Sequence, residues 1–187
     1  MNIKEQIASL DKIYKLKETD RLSHVKGRME STAEHSWGVL MVADFFFPHL
    51  ESRLDKKHVY DLLMYHDLVE AECGDMSASP DTDRSKKEEI EAQAVKILAN
   101  KLPKHMGKKL LAMFDEYEKQ HTLEAQFAKI CDGFESDTFI RKSDLDWSSW
   151  TTDFYDNLRR PHYENFPELL PYLDELQSQL IEQGILK

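Results

Sequence analysis

A chain of 187 residues that is 41% apolar and 32% charged, with only six glycines and six prolines, can build one sizeable core and is unlike a disordered or fibrous sequence. Its formal net charge of −10 argues against a long nucleic-acid polymer as partner, because polymer binding draws on a broad basic surface. Cys73 and Cys131 lack CxxC spacing, so neither a zinc ribbon nor a disulfide framework is expected and a reducing cytoplasm fits; the N-terminus alternates charged and apolar residues and Asp44 interrupts the longest apolar stretch, so neither a signal peptide nor a membrane span is expected.

Ile3, Ile7, Leu10 and Tyr14 recur at helical spacing and predict an amphipathic first helix that ends near the charged stretch 17–21. A basic, irregular connector follows, carrying Arg21, His24, Lys26 and Arg28, a local positive site suited to a small anion. Ser31 and Glu34 have the spacing of a capping box, so a helix is expected to start there, hold His35 in its first turn, bury Trp37, Leu40, Met41 and Phe45 in part, and stop by Pro48. Asp55 can cap a third helix in which Val59, Leu62, Leu63 and His66 share a face, running to Glu72 before Gly74. Residues 77–83 form the clearest loop, Ser85 and Glu88 repeat the capping-box spacing, and Arg84, Lys86 and Lys87 make a second positive cluster. Ile90, Ala94 and Ile97 belong to the next helix, closed by Pro103. Later helices are marked by Leu110, Leu111, Phe114 and Tyr117, by Leu123, Phe127, Ile130 and Phe134, and by 167–183. No segment reads as a strand, and one all-α domain over 1–187 is the economical reading.

The stretch 65–76 carries the chemistry. On a helix His66 and Asp67 each lie within one turn of Glu70, and His66 continues the inward face of Val59, Leu62 and Leu63. An imidazole beside a carboxylate facing the interior is costly unless something binds both, and a divalent cation accepts imidazole nitrogen and carboxylate oxygen alike.

His35 within the segment 31–37, then His66-Asp67, then Asp132, resembles the H…HD…D signature of HD-domain proteins, and the chain is most similar to the 5′-deoxynucleotidase branch of that superfamily. The resemblance spans about residues 16–139 and implies a single-domain, all-α HD-type helical bundle, with helices of 147–187 completing the bundle or a dimer contact. It further implies that His35, His66, Asp67 and Asp132 coordinate one divalent metal, drawn from Mn, Co, Mg, Fe, Ni or Zn, and that Glu70 with Asp67 serves catalysis. Glu70, the Asp75 carboxylate and the Met76 carbonyl would complete a second metal site. Arg21 stands where the family has a phosphate-contacting arginine, with His24, Lys26 and Arg28 as further substrate contacts; Leu22 follows Arg21 where the family usually has tryptophan. The activity implied is hydrolysis of deoxynucleoside 5′-monophosphates by a cytoplasmic homodimer.

Read from periodicity alone, Asp132 projects away from the stripe of Phe127, Ile130 and Phe134 and looks solvated, so Asp137 is the alternative fourth ligand. His58, His105, His121 and His162 read as surface or packing residues, and Trp147, Trp150, Phe154 and Tyr155 as core or dimer contact. Rival functions are HD-type cleavage of another nucleotide phosphate (diphosphate, triphosphate or cyclic), a di-iron HD oxygenase, disfavoured because His49 is the only histidine between His35 and His58, and a non-catalytic nucleotide-binding scaffold.

Overall fold

A computed structural model describes residues 1–50, 53–140 and 149–187, and helices dominate it. Helix α1 (Ile3–Tyr14) starts at a capping box made by Asn2 and Glu5. Its apolar stripe of Ile3, Ile7, Leu10 and Tyr14 faces outward, while Ser9 turns inward. Periodicity locates such a stripe but not its partner.

The expected irregular connector is instead a β-hairpin, β1 (Asp20–Val25) and β2 (Arg28–Ser31), antiparallel with Val25 opposite Arg28 and Asp20 opposite Ser31. The turn places Lys26 at φ 48° and Gly27 at φ 81°, the left-handed pair that tight hairpins require. A lysine in the first of these positions is a weak turn signal, so the sequence reading found no strand.

Helix α2 (Thr32–Phe46) begins as expected: Ser31 accepts from the Glu34 amide, and the Glu34 carboxylate accepts from the Ser31 amide. Its inward face is His35, Val39, Ala43 and Phe46. Trp37, Met41 and Phe45 were expected to be partly buried and are instead 67%, 50% and 55% exposed. The helix is rotated to bring His35 inside, and that turns the aromatic edge out.

Helix α3 (Lys56–Tyr65) is capped by Asp55, which accepts from the His58 amide at 3.1 Å. It does not run on to Glu72. Past Tyr65 the backbone tightens, with Leu68 N bonding Tyr65 O and Glu70 N bonding Asp67 O, before one further turn, α4 (Glu70–Cys73), ends at Gly74 with φ 82°. The tighter winding changes the directions in which His66, Asp67 and Glu70 project.

Helix α5 (Lys87–Lys101) starts later than the Ser85/Glu88 spacing suggested, because the Ser85 amide bonds the Asp83 carboxylate at 3.0 Å and no side chain caps the helix. Glu91, Ala94, Val95 and Leu98 face inward, and Ile90 and Ile97 are exposed. Helix α6 (Lys104–Lys119) follows Pro103, and α7 (Leu123–Ile140) runs through the middle of the fold, packed by α2, α3, α6 and the C-terminal helix. Phe127, Ala128, Ile130 and Cys131 are all buried, so α7 is apolar on two faces, which removes the basis for calling Asp132 solvated.

Helix α8 (Thr152–Arg159) starts at Thr151, and α9 (Leu170–Glu182) closes the core with Leu173, Leu176 and Leu180, joined by Leu169 just ahead of it. Each such leucine stabilises the fold by roughly 1.5–3 kcal/mol through burial. Trp150 and Tyr155 are buried as core, and Trp147 lies outside the described residues. Among the described residues no helix is long and apolar enough to cross a membrane, and both cysteines are free.

Candidate metal centre

Three elements deliver the residues that the sequence singled out. The first turn of α2 supplies His35, the turn after α3 supplies His66 and Asp67, and the middle of α7 supplies Asp132. His35 Nε2 lies 3.1 Å from Asp132 Oδ1 and 3.5 Å from Asp67 Oδ2, and His66 Nε2 lies 3.1 Å from Asp67 Oδ2. One ligand atom from each of His35, His66 and Asp132 falls within 4.8 Å of the others. Asp137, the alternative ligand, points elsewhere and pairs with Arg159.

Both imidazoles are held in a fixed orientation. His66 Nδ1 is 2.7 Å from the Leu63 carbonyl, so that nitrogen carries the hydrogen and Nε2 is left as a lone-pair donor. His66 Nε2 is buried and has no hydrogen-bond partner, and it faces the carboxylate of Asp67. A buried nitrogen lone pair among two carboxylates and a second imidazole is the donor set a divalent cation takes, and the residues present fit one.

His35 Nδ1 is 2.6 Å from Glu135 Oε2, one turn along α7 from Asp132. A single turn of α7 therefore grips both nitrogens of His35. Gly38 makes room for this, because a Cβ there would collide with the Glu135 carboxylate. Burial and Arg21 oppose charge on His35, but the hydrogen bonds to Asp132 and Glu135 outweigh them and raise its pKa to about 10. Glu135 was not found by sequence reasoning, although it is three residues beyond Asp132 on the same helix face.

Asp132 is held on its other oxygen: Tyr117 Oη donates to Oδ2 at 2.7 Å and Lys129 Nζ at 3.0 Å. Burial pushes its pKa up, yet Lys129 and the His35 hydrogen bond win and leave it well below the usual carboxylate range. Glu70 is buried beside Asp67 and Asp75, and Thr32 Oγ1 donates to its Oε2 at 2.8 Å. Burial first, then the charges of Asp67 and Asp75, raise the Glu70 pKa strongly.

A cavity opens from these groups, lined among others by Arg21, Glu70, Asp75, Met76, Tyr117 and His162. Arg21 reaches it from β1, with Nη1 3.4 Å from Asp67 and 3.7 Å from Asp75, and Nη2 donating to Ser136 Oγ at 3.3 Å. Leu22, in the place of the family's tryptophan, also lines it. The other members of the first basic cluster do not: Lys26 sits exposed at the hairpin turn, Arg28 pairs with Glu34, and His24 lies outside the cavity wall. His162, read from sequence as packing, contributes to the wall, and burial together with Lys129 lowers its pKa to about 4, so it is neutral at physiological pH. The pairing of His58 with Glu116, at 2.8 Å, was invisible to local spacing because the two lie on different helices.

The HD domain family model matches residues 13–159. The chain belongs to the HD-domain family. Among HD-domain relatives, it is 28% identical to human 5′-deoxynucleotidase HDDC2 over 81% of this chain and 73% of that protein. It is 25% identical to the mouse 5′-deoxynucleotidase HDDC2, over 80% of this chain and 74% of that one. A solved structure of a predicted metal-dependent phosphohydrolase from Magnetospirillum magnetotacticum superposes with a TM-score of 0.84 at 26% identity, covering 98% of this chain and 95% of that one. An HD-domain phosphohydrolase from Listeria innocua shares the fold, with a TM-score of 0.70 at 23% identity over 96% and 91% of the two chains. This HD-domain chain is accordingly a metal-dependent phosphohydrolase, which implies a divalent cation.

Proposed function

We propose that the chain is a 5′-deoxynucleotidase, which cleaves a deoxynucleoside 5′-monophosphate and water to deoxynucleoside and phosphate. The observation that carries this reading is the unpartnered Nε2 of His66 set against the His35, Asp67 and Asp132 side chains beside a mixed-charge cavity. The relatives named 5′-deoxynucleotidase support the choice of substrate.

In this reading His35, His66, Asp67 and Asp132 hold a divalent ion, and Glu70, Asp75 and the Met76 carbonyl are available to a second. A cation held by these residues would supply Lewis acidity toward a phosphate oxygen and a lowered pKa for water near neutral pH. The remaining work falls to the chain. Arg21, fixed by Asp67, Asp75 and Ser136, sets positive charge beside the transferring phosphoryl group. Glu70, held by the Thr32 hydrogen bond on the cavity wall beside Asp67, is placed to exchange a proton with the attacking water or the departing ester oxygen. Glu135 fixes the His35 ring.

The described residues from α1 to α9 pack around one core, which supports one HD domain over 1–187; the cytoplasmic homodimer in this reading rests on the family resemblance alone. The test is a phosphate-release screen of deoxy- and ribonucleotides with added manganese, cobalt and magnesium, run beside Asp67→Ala. Selective release from deoxynucleoside monophosphates, lost in the variant, is expected; release only from ribonucleotides, or from diphosphates, triphosphates or cyclic nucleotides, would overturn the assignment.

A further inference from the structure

Five lysine and arginine side chains line the cavity: Arg21, Arg84, Lys87, Lys129 and Arg159. Four of them already face a carboxylate. Arg21 is set against Asp67 and Asp75, Lys87 lies 3.2 Å from Glu91, Lys129 lies 3.0 Å from Asp132, and Arg159 lies 2.7 Å from Asp137. Among the described residues Arg84 alone of the five has no hydrogen-bond or ion-pair partner for its guanidinium.

The acids nearest to it in sequence are engaged elsewhere. Asp83 accepts from the Ser85 amide at 3.0 Å, and Asp81 accepts from Ser149 Oγ at 2.6 Å. The backbone at Arg84 is anchored, since its carbonyl accepts from the Lys87 amide at 3.0 Å where α5 begins. The side chain is half-buried. A guanidinium partly removed from water with none of its five donors used is unfavourable by itself, and its fork geometry matches the oxygens of a phosphate. Arg21, by contrast, is balanced by acids and gives up less to an incoming anion.

We propose that Arg84 is a substrate-binding residue that grips non-bridging oxygens of the substrate's phosphate group, a role for the loop before α5 distinct from that of Arg21. This rests on reading the cavity as the phosphohydrolase's substrate site. The test uses the full chain loaded with metal and inorganic phosphate as the probe, titrated calorimetrically, with an unphosphorylated deoxynucleoside as the second ligand. Arg84→Gln is expected to weaken phosphate binding about tenfold or more, the scale of a lost charge-assisted hydrogen bond, and to leave deoxynucleoside binding and metal content unchanged. Arg84→Lys, which keeps the charge and loses the fork, falls between. Undiminished phosphate affinity in a folded Arg84→Gln protein, an equal loss for both ligands, or no phosphate binding by the wild type would each overturn the proposal. Failure of the deoxynucleotidase reading shows separately, as phosphate binding by a wild type that does not turn over deoxynucleotides.

Discussion

Helix α7 carries Asp132 and Asp137, both largely shielded from water, with side chains 18% and 1% exposed. Asp137 is saturated. Arg159 donates to its two oxygens at 2.8 and 2.7 Å, and Tyr155 Oη donates at 3.0 Å, which ties α8 to α7. Asp132 uses one oxygen on Tyr117 and Lys129 and turns the other toward His35, close to the unpartnered nitrogen of His66. Burial of an acid therefore does not mark function in this fold; unused bonding capacity beside it does. The same distinction separates Arg159 from Arg84 on the cavity wall.

The contrast is sharpened most by Glu70. Glu70→Ala is expected to lower kcat by about 10²–10⁴ while the ion held by His35, His66, Asp67 and Asp132 stays bound, read by steady-state kinetics beside metal analysis. Loss of metal together with activity would move Glu70 from proton transfer into the ligand set. Next comes Glu135→Gln, which keeps the shape but weakens the grip on His35 Nδ1. Metal affinity should fall about 10–100-fold with little change in melting temperature, and an unchanged affinity would make Glu135 a packing residue.

The smallest effect belongs to a satisfied group at the surface. Arg28, and then the backbone and side chain of Ser31, hold the Glu34 pKa down to about 2. A carboxyl depressed on folding contributes stability above its unfolded value of about 4.3 and loses it as pH falls toward the folded value. Because Glu34 is 42% exposed and solvent screens its pairing with Arg28, Glu34→Gln should cost only about 1 kcal/mol at neutral pH, or about 2–4 °C in Tm, and the gap from wild type should close on acidification from pH 5 toward pH 2. A gap independent of pH would assign the loss to packing.

Where the chain order itself makes the structure, the sequence was readable. The Ser31/Glu34 box, the Asp55 cap, the leucines of α9 and the H…HD…D spacing all depend on neighbours within a turn or on a resemblance that spans the site. Where partners come from distant elements it was not. The hairpin turned on a lysine in left-handed conformation, the orientation of α2 was decided by what His35 meets on α7, and α7 hid Asp132 by being apolar on two faces. Tyr117 and His162 enter the site from α6 and the segment after α8, which no local period records, whereas Lys129 and Glu135 lie three residues either side of Asp132 on α7 and were passed over once Asp132 itself read as solvated. The break after Tyr65 was missed because a tightened turn preserves the hydrophobic order of residues and changes only their direction.

The open aspartate, Asp132, and the closed one, Asp137, differ in kind. Metal titration of Asp132→Asn and Asp137→Asn, each followed by a thermal melt, puts that to the test. Asp132→Asn should lose its bound ion and remain folded; Asp137→Asn should bind the ion normally and lose about 3–5 kcal/mol of stability, because the Arg159 charge is stranded. Full metal occupancy in folded Asp132→Asn would contradict the account.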